Sequence, residues 1–431
     1  MPEHDKNQQH ANAIATVAAE EASQAAVAIA DPAAVPDGGY GWICVGCVFV
    51  LNAFTWGVAA SYGVFLAHYL TFAVYANASA LDYAFIGGLQ FGIAVGLASP
   101  ITVITRYHGM HLPMCVGVVV QTAGYVLASF TRTIWQLYLT QGVLVGLGLG
   151  TLYIPSIAIT SQWFDRRRSL ANGITSAGSG IGGLIFSFAT QAMINNISLP
   201  WALRIIGIVS GVMNVAATAL IRSRNEVIRP TMSGFDSKLL KRQSVVLLLA
   251  WAFVSMLGYM ALLYSLSDYA KSIGLSDSKA AAVTAFLNLG TAVGRPLIGL
   301  MSDRFGRIEV AGLSTFACAV FIFAIWIPSN SYGVIILFAL LSGAILGVFW
   351  MTISPLCVEV AGLKDLNSLL ALSWGTVILP VTFSEVVALE IRRPNADRPY
   401  LYPQLYCGLA YLLASAIMLR LWYVKRRGHE R

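Results

Sequence analysis

Apolar residues run along this chain in blocks of roughly 20, separated by short polar gaps, over almost its whole length. A helix rises ~1.5 Å per residue, so a block of about 20 residues covers the ~30 Å hydrocarbon core of a bilayer. Twelve blocks can be marked, at 42–66, 84–104, 112–130, 135–161, 168–193, 200–221, 244–268, 280–301, 309–327, 332–357, 367–389 and 402–424. The longest polar interruption, 222–243, separates six from six. The pattern predicts an all-α membrane protein of twelve transmembrane helices in two six-helix bundles, 37–221 and 244–424, joined by a cytoplasmic loop over 222–243. Residues 1–36 break the rhythm: they are polar, then Ala-rich, and end in Pro36-Asp37-Gly38-Gly39, which reads as a disordered tail. A short tail, 425–431, closes the chain.

The two halves repeat. Leu89–Gly96 reads LQFGIAVG and Leu287–Gly294 reads LNLGTAVG. Arg106-Tyr107 follows the first copy at the same distance as Arg304-Phe305 follows the second. A duplicated helical unit in a membrane places its working site where the copies meet.

Composition supports the membrane reading. Apolar residues make up 57% and charged residues 11%, with mean hydropathy +0.70, whereas soluble domains carry about a quarter charged residues. The net charge of +7 does not mark a nucleic-acid protein, because the basic residues are scattered through the short gaps rather than gathered on one face. With both termini placed in the cytoplasm, most Lys and Arg fall on the inside, as the positive-inside rule requires. Arg392 and Arg393 run against that bias, and Glu390 and Asp397 are their nearest acids in sequence. Nothing marks an organelle, so the plasma membrane is the expected location. Cys44 and Cys47 form a CxxC in a uniformly apolar run with no second pair or histidine cluster, which reads as packing. No metal or cofactor is expected. No Gly-x-x-x-x-Gly-Lys loop, paired acids or Ser/His arrangement argues for an ATP-driven pump or a membrane enzyme. A sensor built on a transporter fold is the remote alternative.

Three motifs point to a family. Gly294–Arg307 reads GRPLIGLMSDRFGR, a carboxylate and two arginines around a turn at Gly306. Asp303, Arg304 and Arg307, with Glu359 as a third partner, form a candidate gate on the cytoplasmic side. This run resembles the loop signature of the major facilitator superfamily, whose resemblance implies a lock on the outward-open state. In the first half Thr105 stands where Asp303 stands and His108 breaks the register, so the expected lock is one-sided. Asp37-Gly38-Gly39-Tyr40-Gly41-Trp42 and the run WFDRRRSLANGITSAGSGIGG from Trp163 to Gly183 together resemble the two signatures of the monocarboxylate transporter family in its fungal branch, over residues 36–425. That resemblance implies the major facilitator fold, alternating access and a small organic acid or metabolite as substrate. Fungal relatives are tied to carboxylates, riboflavin-like vitamins and export of secondary metabolites. Asp37 can cap the first helix or pair with a loop arginine.

Arg295 is the charge in the wrong place. It lies seven residues before Ser302, ~10 Å into the membrane, and its repeat counterpart is Leu97. Intramembrane ionisable residues are functional by default, and a guanidinium can hold a carboxylate with two parallel hydrogen bonds. Arg295-Pro296 matches the family's substrate-binding arginine before proline. The family also carries an aspartate one turn earlier and a lysine in the first span, where this chain has Thr291 and Ala60. Their loss argues against strict proton–lactate symport and leaves Glu385 as the proton-coupling candidate. Asn52, Trp56, Tyr62, Gln90, Tyr153, Tyr264, Asn288, Trp350 and Trp374 complete the candidate substrate contacts. Pro155 and Pro355, each after a glycine-rich stretch, mark candidate bending points.

Overall fold

A computed structural model describes residues 35–72, 74–75, 78–393 and 396–429. Nearly all of the tail expected over 1–36, and the side chain of Glu385, lie outside the described residues. Among the described residues eleven helices are long and apolar enough to cross a membrane, and twelve if one bent pair counts as a single span. They are α1 (Gly41–Leu66), α2 (Ala80–Gly96, continuing as Ala98–His108), α3 (His111–Ala128), α4 (Ile134–Trp163), α5 (Arg168–Asn196), α6 (Leu199–Leu220), α7 (Gln243–Ser272), α8 (Asp277–Phe305), α9 (Arg307–Trp326), α10 (Tyr332–Ala361), α11 (Leu366–Glu390) and α12 (Leu401–His429). With an even number of spans, residues 35–40 and the end of α12 share one face, called here the terminal face.

The helices depart from regularity at specific places. The two parts of α2 meet at 45°. Pro100, in the first turn of the second part, has no N–H to give Gly96, and its ring crowds that carbonyl. α4 is interrupted at Ala158, three residues after Pro155. The break in α10 falls at Gly347, not near Pro355, which lies inside a continuous helical segment. Single π turns occur at Ala53–Gly57, Tyr138–Leu144 and Ile322–Trp326. The first carries Trp56 and the second carries Gln141. Such turns add one residue to a helical turn and re-aim the side chains that follow, often at functional sites.

Close helix approach is built from glycine. α5 lays Gly178 and Gly182 against the backbone carbonyls of Phe49 and Ala53 in α1, and Gly173 against that of Arg295 in α8. α8 returns the contact with Gly299 against the Ser169 carbonyl. A Cβ at any of these positions would strike backbone, so the α5–α8 seam admits only glycine there. This seam joins the two halves. Cys44 and Cys47 are buried free thiols in an apolar cluster with Met110, Met114 and Leu152, and Cys44 Sγ donates to the Arg222 carbonyl at 3.5 Å.

At the face opposite the termini, Arg392 pairs with Asp268 of α7 at 2.7 Å and stacks over Tyr400 at 4.6 Å, while Arg393 lies 4.4 Å over the Tyr402 ring. The acid that holds Arg392 is therefore on α7, and not the sequence-adjacent Glu390 or Asp397.

Candidate functional site

The site is built where α1, α4 and α5 of the first half face α7, α8, α10 and α11 of the second. Arg295 lies on α8, 6% exposed. Its Nη1 donates to the Ser176 carbonyl at 2.7 Å and to Ser179 Oγ at 2.8 Å, both on α5. Its Nε has no partner. Gly347 permits the close approach of α10, since a Cβ there would lie 2.6 Å from Arg295 Nη2. Among the described residues no carboxylate is within ion-pair distance of Arg295. Tyr153 and Tyr259 lie within its electrostatic reach instead. Burying a charge without a counter-ion costs several kcal/mol, and each unmet buried donor costs a further ~1–3 kcal/mol. Charges buried in this way inside a membrane span are rare and mark candidate functional positions.

Tyr153, which lies within electrostatic range of the guanidinium, belongs to a circuit of four aromatic rings. Trp56 meets Tyr153 at 5.3 Å, Tyr153 meets Trp374 at 5.7 Å, Trp374 stacks on Trp350 at 5.4 Å, and Trp350 returns to Trp56 at 5.7 Å. Two rings come from each half. Phe91, Tyr259 and Phe349 pack around the circuit. The indole N–H groups of Trp56 and Trp374 have no hydrogen-bond partner, and that of Trp350 faces the Tyr259 hydroxyl.

The other expected contacts divide. Asn288 lies two turns from Arg295 on the same side of α8 and faces Gly183 of α5. Asn52 donates to the Val48 carbonyl of its own helix at 2.9 Å. Tyr62 donates to the Tyr83 carbonyl at 2.7 Å, and Gln90 donates to the Gln141 carbonyl at 2.8 Å. These two belong to a separate tyrosine-lined cluster inside the first half. Tyr264 is 39% exposed on α7 and apart from the ring circuit. Tyr259, Ser176 and Ser179 were not anticipated. The serines read as part of a smooth glycine-rich face, and only the register of α5 on α8 turns them to Arg295.

At the terminal face the halves are tied together. Asp303, at the end of α8, accepts the backbone N–H of Ser169 at 2.9 Å and of Leu170 at 2.8 Å, at the start of α5. Two orphan donors of a helix N-terminus and its positive dipole end meet a carboxylate there. Arg307 lies 3.8 Å from Asp303 and 3.3 Å from Glu359, and donates to the Asp165 carbonyl at 2.5 Å. Ser161 and Ser354 hydrogen-bond across the halves at 2.7 Å. Arg304 stays outside this network, exposed and 5.5 Å over Phe305. In the first half Thr105 only bonds back to the Ile101 carbonyl at 2.7 Å. The stretch after α6 ties down the second half instead: Thr231 donates to the Lys364 carbonyl at 2.8 Å and Arg242 pairs with Asp365 at 3.5 Å.

The two sequence signatures meet at this same face. Asp37 accepts the N–H groups of Asp165 at 2.7 Å and Arg166 at 2.9 Å, and Trp42 packs on Phe164 at 4.8 Å. Asp37 thus caps the α4–α5 turn, and neither the first helix nor an arginine side chain. It does so from a left-handed backbone, φ 53°. Burial works against its charge, but the three loop N–H donors outweigh that and hold its carboxyl below the ordinary range.

A twelve-span helical bundle with a polar centre between its halves and ties at one face is a multi-pass membrane transporter. The chain belongs to the Major Facilitator Superfamily, whose model matches residues 45–378. The probable transporter MCH2 of Saccharomyces cerevisiae is 34% identical over 387 residues, covering 88% of this chain and 82% of that one. The fujikurins efflux protein of Gibberella fujikuroi is 26% identical, covering 81% and 76%. Among solved structures, the proton:xylose symporter XylE superposes with a TM-score of 0.68 at 13% identity, over 88% of this chain and 95% of that one, a likeness of fold.

Proposed function

We propose that this protein carries a small organic anion across a membrane by alternating access, as a member of the monocarboxylate branch. The observation that carries this reading is Arg295: a buried guanidinium at the junction of the halves with no acid to neutralise it among the described residues. A carboxylate would satisfy both its charge and its free Nε–H. Asp303, Arg307 and Glu359 act as the terminal-face lock that opens when the halves rock. The termini lie in the cytoplasm and the membrane is the plasma membrane. Where coupling to protons occurs, Glu385 takes the proton, since Thr291 and Ala60 occupy the positions of the family's usual acid and base.

Export of a larger metabolite is the second reading. It is favoured by relatives named as efflux proteins, for fujikurins and for agnestins. Counterflow in proteoliposomes tests the first reading. Labelled lactate, pyruvate and benzoate should exchange in wild type, and Arg295→Gln should lower exchange at least about tenfold, the worth of one charge-assisted hydrogen bond. Exchange unaffected by Arg295→Gln would refute the anion site. An imposed proton gradient that leaves the rates unchanged would remove proton coupling and favour export.

A further inference from the structure

The ring circuit and Arg295 together have a chemistry of their own. The fully buried polar atoms left without a partner there are donors: Arg295 Nε–H, Trp56 Nε1–H and Trp374 Nε1–H. Trp56 is 8% exposed and Trp374 1%, so water does not readily serve them. A group of buried donors asks for a ligand rich in acceptors. A polyol brings donors and acceptors together and would leave its own hydroxyl protons unmet among indoles. A cation would meet Arg295 and be repelled. The faces of Trp56, Tyr153, Trp350 and Trp374 meanwhile offer flat apolar surface, which rewards a flat partner over a puckered one of equal size. A two- or three-carbon acid would reach the guanidinium and leave the rings and indoles unused.

We propose that Arg295 and this four-ring circuit form one subsite for a flat conjugated carboxylate bearing further acceptor oxygens, an aromatic keto or quinone acid in chemical class. The proposal rests on the anion reading above. The carboxylate lies on Arg295, the conjugated body lies against the rings, and its carbonyl oxygens accept from Trp56 and Trp374. The rings touch in the state described, at 5.3–5.7 Å between centroids. Two of the four contacts, Trp56–Trp350 and Tyr153–Trp374, cross between the halves. Those two must part for a flat body to enter, and relative movement of the halves parts them. Ligand entry and the transport motion therefore act on the same contacts.

The test uses the full chain in detergent, with intrinsic tryptophan fluorescence as the binding readout and counterflow in proteoliposomes as the transport readout. The probes are 2-naphthoate, cyclohexanecarboxylate, anthraquinone-2-carboxylate and lactate. Wild type should bind 2-naphthoate at least about tenfold tighter than cyclohexanecarboxylate, and anthraquinone-2-carboxylate tighter still. Trp374→Leu should bring the naphthoate-to-cyclohexane ratio close to unity. Trp56→Phe and Trp374→Phe keep a ring and remove one N–H. Each should weaken anthraquinone-2-carboxylate relative to 2-naphthoate by about threefold to tenfold, and because they keep an aromatic ring in place they serve if the leucine variant fails to fold. Equal binding of the flat and puckered acids, with lactate exchange still dependent on Arg295, would overturn this inference and leave the anion reading standing. Flat acids bound as well by Arg295→Gln as by wild type would overturn both.

Discussion

The carboxylate of Asp37 accepts the backbone N–H of Arg166 at 2.9 and 3.1 Å across 129 residues of sequence. The start of the first helix is thereby fastened to the turn between α4 and α5. Asp37 titrates below an ordinary carboxyl in the folded chain, and at about 3.9 when unfolded. Its ionised form stabilises the fold at every pH above the unfolded value, and that contribution is lost as pH falls through the lower folded value. Asp37→Asn tolerates the same left-handed backbone, keeps one acceptor oxygen and removes the charge. The melting temperature of wild type should exceed that of Asp37→Asn by a constant small margin between pH 5 and 8. The two should converge once pH falls below the depressed value of the folded carboxyl. A margin that persists there would assign the effect to shape and not to ionisation.

Arg295 is held by two oxygens of α5 and, among the described residues, by no acid, so its removal relieves a desolvation cost. Arg295→Gln should melt within a few degrees of wild type or higher while anion transport collapses. Arg295→Lys should not restore transport, because an ammonium cannot reach Ser176, Ser179 and a carboxylate in one plane. Restoration by lysine would show that charge alone suffices.

Asp303 ties α8 to the first turn of α5 through two backbone N–H groups. Asp303→Asn keeps one acceptor and loses the charge, a change worth ~0.5–2 kcal/mol at a helix N-terminus. The equilibrium between states should shift by roughly twofold to thirtyfold toward opening at the terminal face. Maleimide labelling of a cysteine placed at Ser354, in a chain lacking its native thiols, should speed up accordingly. Unchanged labelling would reduce Asp303 to a local cap.

Gly173 and Gly46 make a controlled pair. A Cβ at Gly173 would strike the Arg295 carbonyl, whereas one at Gly46 meets nothing within 4 Å. Gly173→Ala should cost ~1–3 kcal/mol and depress transport, because it wedges the seam between the halves. Gly46→Ala should be neutral or stabilising by ~0.4–1 kcal/mol through the unfolded chain. Thermal melts of the two variants decide it.

Much of this architecture is readable from the chain, because membrane spanning imposes length and hydropathy on every element. The twelve spans follow from that constraint. The bend in α2 was available as well, since Pro100 predicts it, but a hydropathy window averages over a proline. The site is only half readable. Arg295 stands out as a lone charge, and Trp56, Tyr153, Trp350 and Trp374 stand out as mid-span aromatics. Asn52, Tyr62 and Gln90 have similar depth and chemistry, yet each bonds within its own half. Depth follows from counting residues. The direction a side chain faces follows from helix rotation, which the π turns at Ala53–Gly57 and Tyr138–Leu144 alter with no signature in the sequence. Ser176 and Ser179 are invisible for a related reason: a small hydroxyl among glycines looks like spacing until the opposing helix is in place.

The tie at the terminal face has an uneven genetic footprint. Its acceptor is one side chain, Asp303, but its donors are backbone groups that every residue except proline supplies. Substitutions other than proline at Ser169 and Leu170 keep those two donors, although at Ser169 they also remove a hydroxyl that accepts from Ser302 Oγ at 3.2 Å. A single base change at codon 303 can remove the acceptor. Half of this tie is written in one codon and half in the geometry of a helix end, and apart from proline only the written half is lost by a single substitution.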